Sequence, residues 1–131
     1  MNIAIIGAGL SGTNIYQLLK KDGHKVNIFE KARGSGGRCS TRYINDKLID
    51  HGTPFFNANN QDFIDFCEKK VKENILVKKD NTYYPLKGMN KLCSSMLDKD
   101  DFYKNTKIVS YKKIDNKWHL YDENGMSYSP F

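Results

Sequence analysis

The chain has 131 residues, 27% of them charged, with a net charge of +6 at neutral pH and a mean hydropathy of −0.66. That length admits one small domain around one hydrophobic core. No apolar run approaches the roughly 20 residues of a membrane span, and no basic stretch leads into a long apolar one as in a signal peptide.

In chain order, Asn2–Ile6 is a short apolar run of the kind that forms a buried parallel strand. Gly7-Ala8-Gly9-Leu10-Ser11-Gly12 follows at once. Leu10, Ile15, Leu18 and Leu19 then fall on one predicted helical face that stops near Asp22-Gly23. Val26–Glu30 is a second strand, and residues 31–38 form a basic, glycine-rich loop. Thr41–Asp50 reads as a hairpin turning at Asn45-Asp46. Residues 60–73 carry Phe63, Phe66, Cys67 and Val71 at helical spacing, with Asn60 as N-cap. Short strands are expected near 75–78 and 82–86, then a helix marked by Leu92, Cys93, Met96 and Leu97. Strands from Lys107 to Ile114 and from Trp118 to Tyr121 close the chain, with turns at Asp115-Asn116 and Glu123–Gly125.

The predicted class is therefore α/β, a Rossmann-like βαβ unit with added hairpins and helices and an incomplete sheet. Residues 1–38 make the βαβ unit and second glycine loop. Residues 39–104 make a hairpin and helix insertion directed toward a substrate region, and 105–131 a β-hairpin that rejoins the sheet.

The first glycine motif gains weight from its setting between a strand and a helix. Gly7 permits a tight turn, Gly9 admits a pyrophosphate close to the backbone, and Gly12 lets the helix pack on the strand. The helix N-terminus then offers unpaired N–H groups to the phosphates. Glu30 stands at the end of the second strand, where a carboxylate accepts from both adenosine ribose hydroxyls and repels a 2′-phosphate. Lys31, Arg33, Gly36, Gly37 and Arg38 form a second loop able to close over the pyrophosphate, with Arg38 adding a charge-assisted hydrogen bond. A plain NAD domain has no need of that loop, so FAD is favoured over NAD.

Other residues are read more plainly. His51 is expected to hydrogen-bond within its turn, although a proton-handling place near a flat ring fits its position in Asp50-His51-Gly52-Thr53-Pro54. Phe55, Phe56, Tyr83, Tyr84 and Trp118 are expected in the core. Cys39, Cys67 and Cys93 show no metal-binding spacing and suit the reduced thiols of a cytoplasmic protein. The basic residues are scattered as Lys20-Lys21, Lys69-Lys70, Lys78-Lys79 and Lys112-Lys113. That describes a solvated surface better than a nucleic-acid interface.

Four landmarks in order carry a family resemblance: Gly7–Gly12 with Glu30, Gly36-Gly37-Arg38, Asp50–Thr53, and Tyr84–Met89 with its following helix. The combination resembles the FAD-dependent amine oxidase family, in particular its renalase-like branch. The resemblance implies that the stretch matching Gly52-Thr53-Pro54 approaches the flavin and that the backbone at Ile108 approaches the adenine. It implies oxidation of an amine or a dihydropyridine-type substrate by hydride transfer to flavin. It also implies a next core strand, beyond Phe131, paired with Asn2–Ile6. Without that strand Asn2–Ile6 is an apolar edge open to self-association or to a complementing chain. A non-catalytic dinucleotide-binding module is the alternative reading.

Overall fold

The computed structural model describes residues 1–131. The elements in order are β1 (Asn2–Ile6), α1 (Leu10–Lys21), β2 (Lys25–Phe29), β3 (Thr41–Ile44), β4 (Lys47–Asp50), β5 (Phe56–Asn57) and α2 (Gln61–Lys72). Then follow β6 (Leu76–Lys79), β7 (Thr82–Pro85), α3 (Asn90–Ser94), β8 (Phe102–Tyr103), β9 (Ile108–Ile114), β10 (Lys117–Asp122) and β11 (Ser127–Tyr128).

The βαβ unit forms as the sequence predicts. β1 and β2 pair in parallel with Ile5 opposite Ile28. Gly7 makes the turn between β1 and α1 at φ +101°, a conformation open to glycine and costly for other residues. The Asp22 and His24 N–H groups bond back to the Leu18 and Leu19 carbonyls, with Gly23 left-handed at φ +80°, which ends α1 and turns the chain into β2. A third parallel strand, β8, lies on the far side of β2, giving the order β1-β2-β8. Its two residues carry no periodicity, so the sequence does not announce it.

The buried face of α1 differs from the predicted one. Thr13 and Tyr16 are buried, whereas Ile15 and Leu18 are exposed. The glycines decide the rotation: a Cβ on Gly12 would lie 2.0 Å from the Gly7 carbonyl oxygen and 3.5 Å from Ile5 Cγ2. The bare side of the helix must therefore face β1, which brings Thr13 and Tyr16 inward with it. The Tyr16 hydroxyl donates toward Asp98 and Asp101 at 3.0 and 2.8 Å, and Lys20 donates to Asp101 at 2.6 Å. These bonds tie α1 to the turn that leads into β8.

Hairpin β3–β4 turns at Asn45 and Asp46, both with positive φ, as predicted. In α2 the Asn60 side chain accepts from the Phe63 N–H at 3.3 Å. A second sheet has the order β5-β7-β6. Two core clusters result. One, formed by Ala8, Tyr16, Val26 and Ile28, lies beneath α1. The other joins Cys39, Cys67, Leu76, Tyr83, Met89, Leu92 and Cys93.

The C-terminal hairpin forms, but it does not rejoin the parallel sheet. β9, β10 and β11 make a sheet of their own in the order β11-β10-β9, and β8 is the strand that returns to β2. Trp118 and Phe55 are 44% and 52% exposed rather than core residues. Trp118 stacks edge-on against Tyr111 and borders a groove with Ile6, Leu120 and Phe131 beside the free edge of β1. Phe55 leans on Tyr84 at the surface.

Candidate dinucleotide site

Two glycine loops face each other at the C-terminal ends of β1 and β2. The Gly36 N–H donates to the Ala8 carbonyl at 2.9 Å, and Gly9 and Gly36 form an isolated parallel bridge. Between the loops lies a crevice of about 710 Å³. Gly7, Gly9, Leu10, Ser11 and Gly12 line one side of it, and Gly36, Gly37, Arg38, Cys39 and Thr53 the other. Gly9 is the N-cap of α1 and offers no side-chain cap. The first N–H groups of the helix are thus left for a ligand.

Glycine does different work at each position. Gly9 has ordinary extended backbone at φ −77° and ψ −178°. A Cβ built on it meets nothing nearer than the Gly36 oxygen at 3.9 Å. Its bareness therefore keeps the crevice open and relieves no clash within the protein. Gly12 is bare because the backbone of Gly7 lies against it. Gly36 and Gly37 have φ of +138° and +56°, and a Cβ on Gly37 would press on the Gly9 Cα at 3.3 Å. This cradle would be filled by side chains and fits a pyrophosphate-bearing ligand, with Arg38 supplying the counter-charge.

Glu30 is 8% exposed. Its two carboxylate oxygens accept from the Ala8 N–H at 2.9 Å and the Ala32 N–H at 2.8 Å. Each oxygen keeps lone-pair capacity for a ribose hydroxyl. The carboxylate therefore also fastens the first loop to the end of β2, a role that spacing alone does not reveal. Glu30, Lys31, Arg33 and Gly37 line a second cavity of about 850 Å³, walled on its other side by Ser40, Thr41, Arg42, Tyr43 and Asn90. Gly37 is common to both cavities. Ala8 itself is fully buried, and its N–H serves Glu30 instead of lining the crevice.

Three further expected site residues stand elsewhere. A Cβ on Gly52 would lie 2.0 Å from the Arg38 carbonyl oxygen, so Gly52 is bare to let Arg38 pack. It lines neither cavity. Pro54 is exposed and lines neither, while Thr53 reaches the crevice and donates its N–H to the Arg38 carbonyl at 2.9 Å. Ile108 opens β9 and also lines neither cavity. The backbone that flanks Glu30 comes earlier: its N–H donates to the Tyr103 carbonyl and its carbonyl accepts from Thr106, both at 2.8 Å.

The remaining landmarks brace the second loop. Asp50 Oδ1 accepts from the Thr41 hydroxyl and from the Met89 N–H at 2.8 Å, and Thr41 Oγ1 accepts from the Asn90 N–H at 3.1 Å. Gly88, at φ +87°, leaves room for Thr41. His51 Nε2 lies 3.2 Å from Ser40 Oγ, a hydrogen bond across the base of the β3–β4 hairpin and not within its own turn. Segments 36–38, 50–53 and 84–89 are therefore one connected support. Arg42 was not singled out in the sequence; only its basic character and its place on β3 hinted at the second cavity.

Residues 5–69 match the NAD(P)-binding Rossmann-like domain family. The fold is Rossmann-like α/β. The chain is 32% identical over 104 residues to an uncharacterized protein of Methanocaldococcus jannaschii, covering 76% of this chain and 27% of that one. It is 41% identical over 46 residues to an L-amino-acid oxidase of Bothrops pauloensis, covering 35% of this chain and 9% of the oxidase. Among solved structures, a putrescine oxidase variant redesigned in cofactor binding superposes with a TM-score of 0.67 over 96% of this chain and 55% of its own. At 11% identity that is a likeness of fold. The chain spans 27% of the first relative and just over half of that structure.

Proposed function

We propose that this chain is the FAD-binding part of a flavin-dependent oxidoreductase of the amine oxidase kind, in its renalase-like branch. The observation that carries the reading is the pair of facing glycine loops closed by Arg38 and anchored through Glu30. A Rossmann unit for NAD needs the first loop alone. The resemblance to an L-amino-acid oxidase over 46 residues and to the fold of a putrescine oxidase supports the same reading.

The N–H groups at the start of α1 and Arg38 would hold the pyrophosphate, and Glu30 the adenosine ribose. Lys31 and Arg33 would balance phosphate charge at the mouth. Thr53 would meet the cofactor from the second loop's side. When bound, the flavin supplies the hydride acceptor for an amine or reduced-pyridine carbon. This chain contributes binding and orientation, and the reduced thiols suit a cytoplasmic setting.

The test is anaerobic addition of amines or reduced nicotinamides to flavin-loaded protein. Bleaching of the flavin absorption by one of these classes supports the oxidoreductase reading. Retained flavin that neither class bleaches favours a second reading, a dinucleotide-binding module without catalysis. That alternative draws on the free edge of β1, where Ile6 is 57% exposed beside an apolar groove. Such an edge pairs readily with another strand, and a concentration-dependent rise in mass on size exclusion would accompany it.

A further inference from the structure

We propose that Cys39 and Cys93 form an oxidisable dithiol at the floor of the dinucleotide crevice, closed to a disulfide by hydrogen peroxide. Cys39 ends the single turn of 3₁₀ helix at Gly37–Cys39, directly after Arg38. It lines the crevice and is 8% exposed, room enough for a small neutral oxidant. Cys93 stands on α3 in the same core cluster, fully buried, and its thiol donates to the Gly36 carbonyl at 3.9 Å, the carbonyl that also accepts from the Cys39 N–H at 2.9 Å. One sulfur thus faces the crevice and the second lies within reach behind it, the arrangement of an attacking and a resolving thiol.

The surroundings favour the thiolate on the outer sulfur. The neighbouring Cys93 thiol lowers the Cys39 thiol to about 7 against the effect of burial. Arg38 and a hydrogen bond from Thr53 add to the lowering, and the Asp50 carboxylate opposes it. Cys93 is pushed up by the neighbouring Cys39 and by burial, opposed by Thr13. Cys67 has no such partner, and burial pushes it up to about 11.

The chemistry balances without any group from the cofactor. The Cys39 thiolate attacks one oxygen of hydrogen peroxide, the O–O bond breaks, and the departing hydroxide takes a proton to become water. Cys39 is then a sulfenic acid. The Cys93 sulfur attacks the Cys39 sulfur, the S–O bond breaks, and the hydroxide leaves as water with the Cys93 proton. Two thiols lose two electrons and one peroxide becomes two waters. The disulfide would tie α3 to the turn that carries Arg38.

The experiment treats the chain with hydrogen peroxide, alkylates the remaining thiols, and maps the peptides without reduction. The expected result is a linked Cys39–Cys93 peptide while Cys67 stays alkylated, with an oxidation rate that rises with pH and levels above about 7. In Cys93→Ser the reaction stops at a sulfenic acid on Cys39 that dimedone traps. Wild-type protein that accumulates dimedone-reactive Cys39 with no linked peptide overturns the proposal. So does oxidation of Cys67 at the rate of Cys39.

Discussion

Replacing Gly9 with valine separates ligand binding from folding at a single position. The backbone there suits any residue, and a Cβ finds its nearest neighbours at 3.9 and 4.0 Å, an ordinary contact. The change in N-cap preference, a few tenths to about 1 kcal/mol, is offset by a similar gain from restricting the unfolded chain. The melting temperature should therefore move little. The added methyls, however, occupy the space that a pyrophosphate needs beside the start of α1. Losing two charge-assisted N–H bonds at about 1.5–3 kcal/mol each removes about 3–6 kcal/mol of binding. That weakens affinity by about two to four powers of ten. Gly12→Ala is the counterpart, because its Cβ would sit 2.0 Å from a backbone oxygen. It should cost about 1–3 kcal/mol of stability, as overpacking does. The assay is an FAD titration by flavin fluorescence, run beside thermal melts of both variants. A Gly9→Val protein that binds FAD within about threefold of wild type would refute this division of roles.

Further expectations follow from the hydrogen bonds. Glu30→Ala strands the buried Ala8 N–H, so it should lower stability by about 1–3 kcal/mol as well as weaken FAD binding; paired melts and titrations measure both losses. Asn60→Ala removes the α2 cap and should cost about 1 kcal/mol in urea unfolding without altering the FAD titration. Hydrogen bonds from Lys78 and Tyr83 hold the Glu68 carboxyl below its ordinary range. Burial alone would raise Asp101, but its bonds to Lys20 and Tyr16 outweigh that and hold it low as well. Both groups therefore bind protons more readily unfolded than folded, and their stabilisation is present above about pH 4 and lost as the pH falls further. Thermal melts between pH 7 and pH 3 should show that loss, reduced in a Glu68→Gln, Asp101→Asn double variant.

The βαβ unit was legible because three local signals agree: an apolar run, a glycine turn and an acidic residue at the end of the next strand. The hairpin turns were legible because Asn and Asp tolerate positive φ, as at Asn45, Asp46, Asp115 and Asn116. β8 was not legible, since two residues carry no period and only β2 gives them a partner. The rotation of α1 was misread because apolar spacing pointed to Ile15 and Leu18, while the contact between Gly12 and Gly7 fixes the helix by backbone shape. Gly52 shows the same limit. A glycine next to a site reads as room for a ligand, yet here the room is taken by Arg38. Position alone singles out Glu30, but its clasp on Ala8 and Ala32 depends on a third dimension that spacing does not encode.

Visible absorption of the chain after FAD loading and desalting tests whether two facing glycine loops form a working FAD cradle. Flavin bands should stay with the wild-type protein and be absent from Gly9→Val treated in parallel. Wild-type protein that emerges colourless, or a Gly9→Val variant that stays equally yellow, would contradict that expectation.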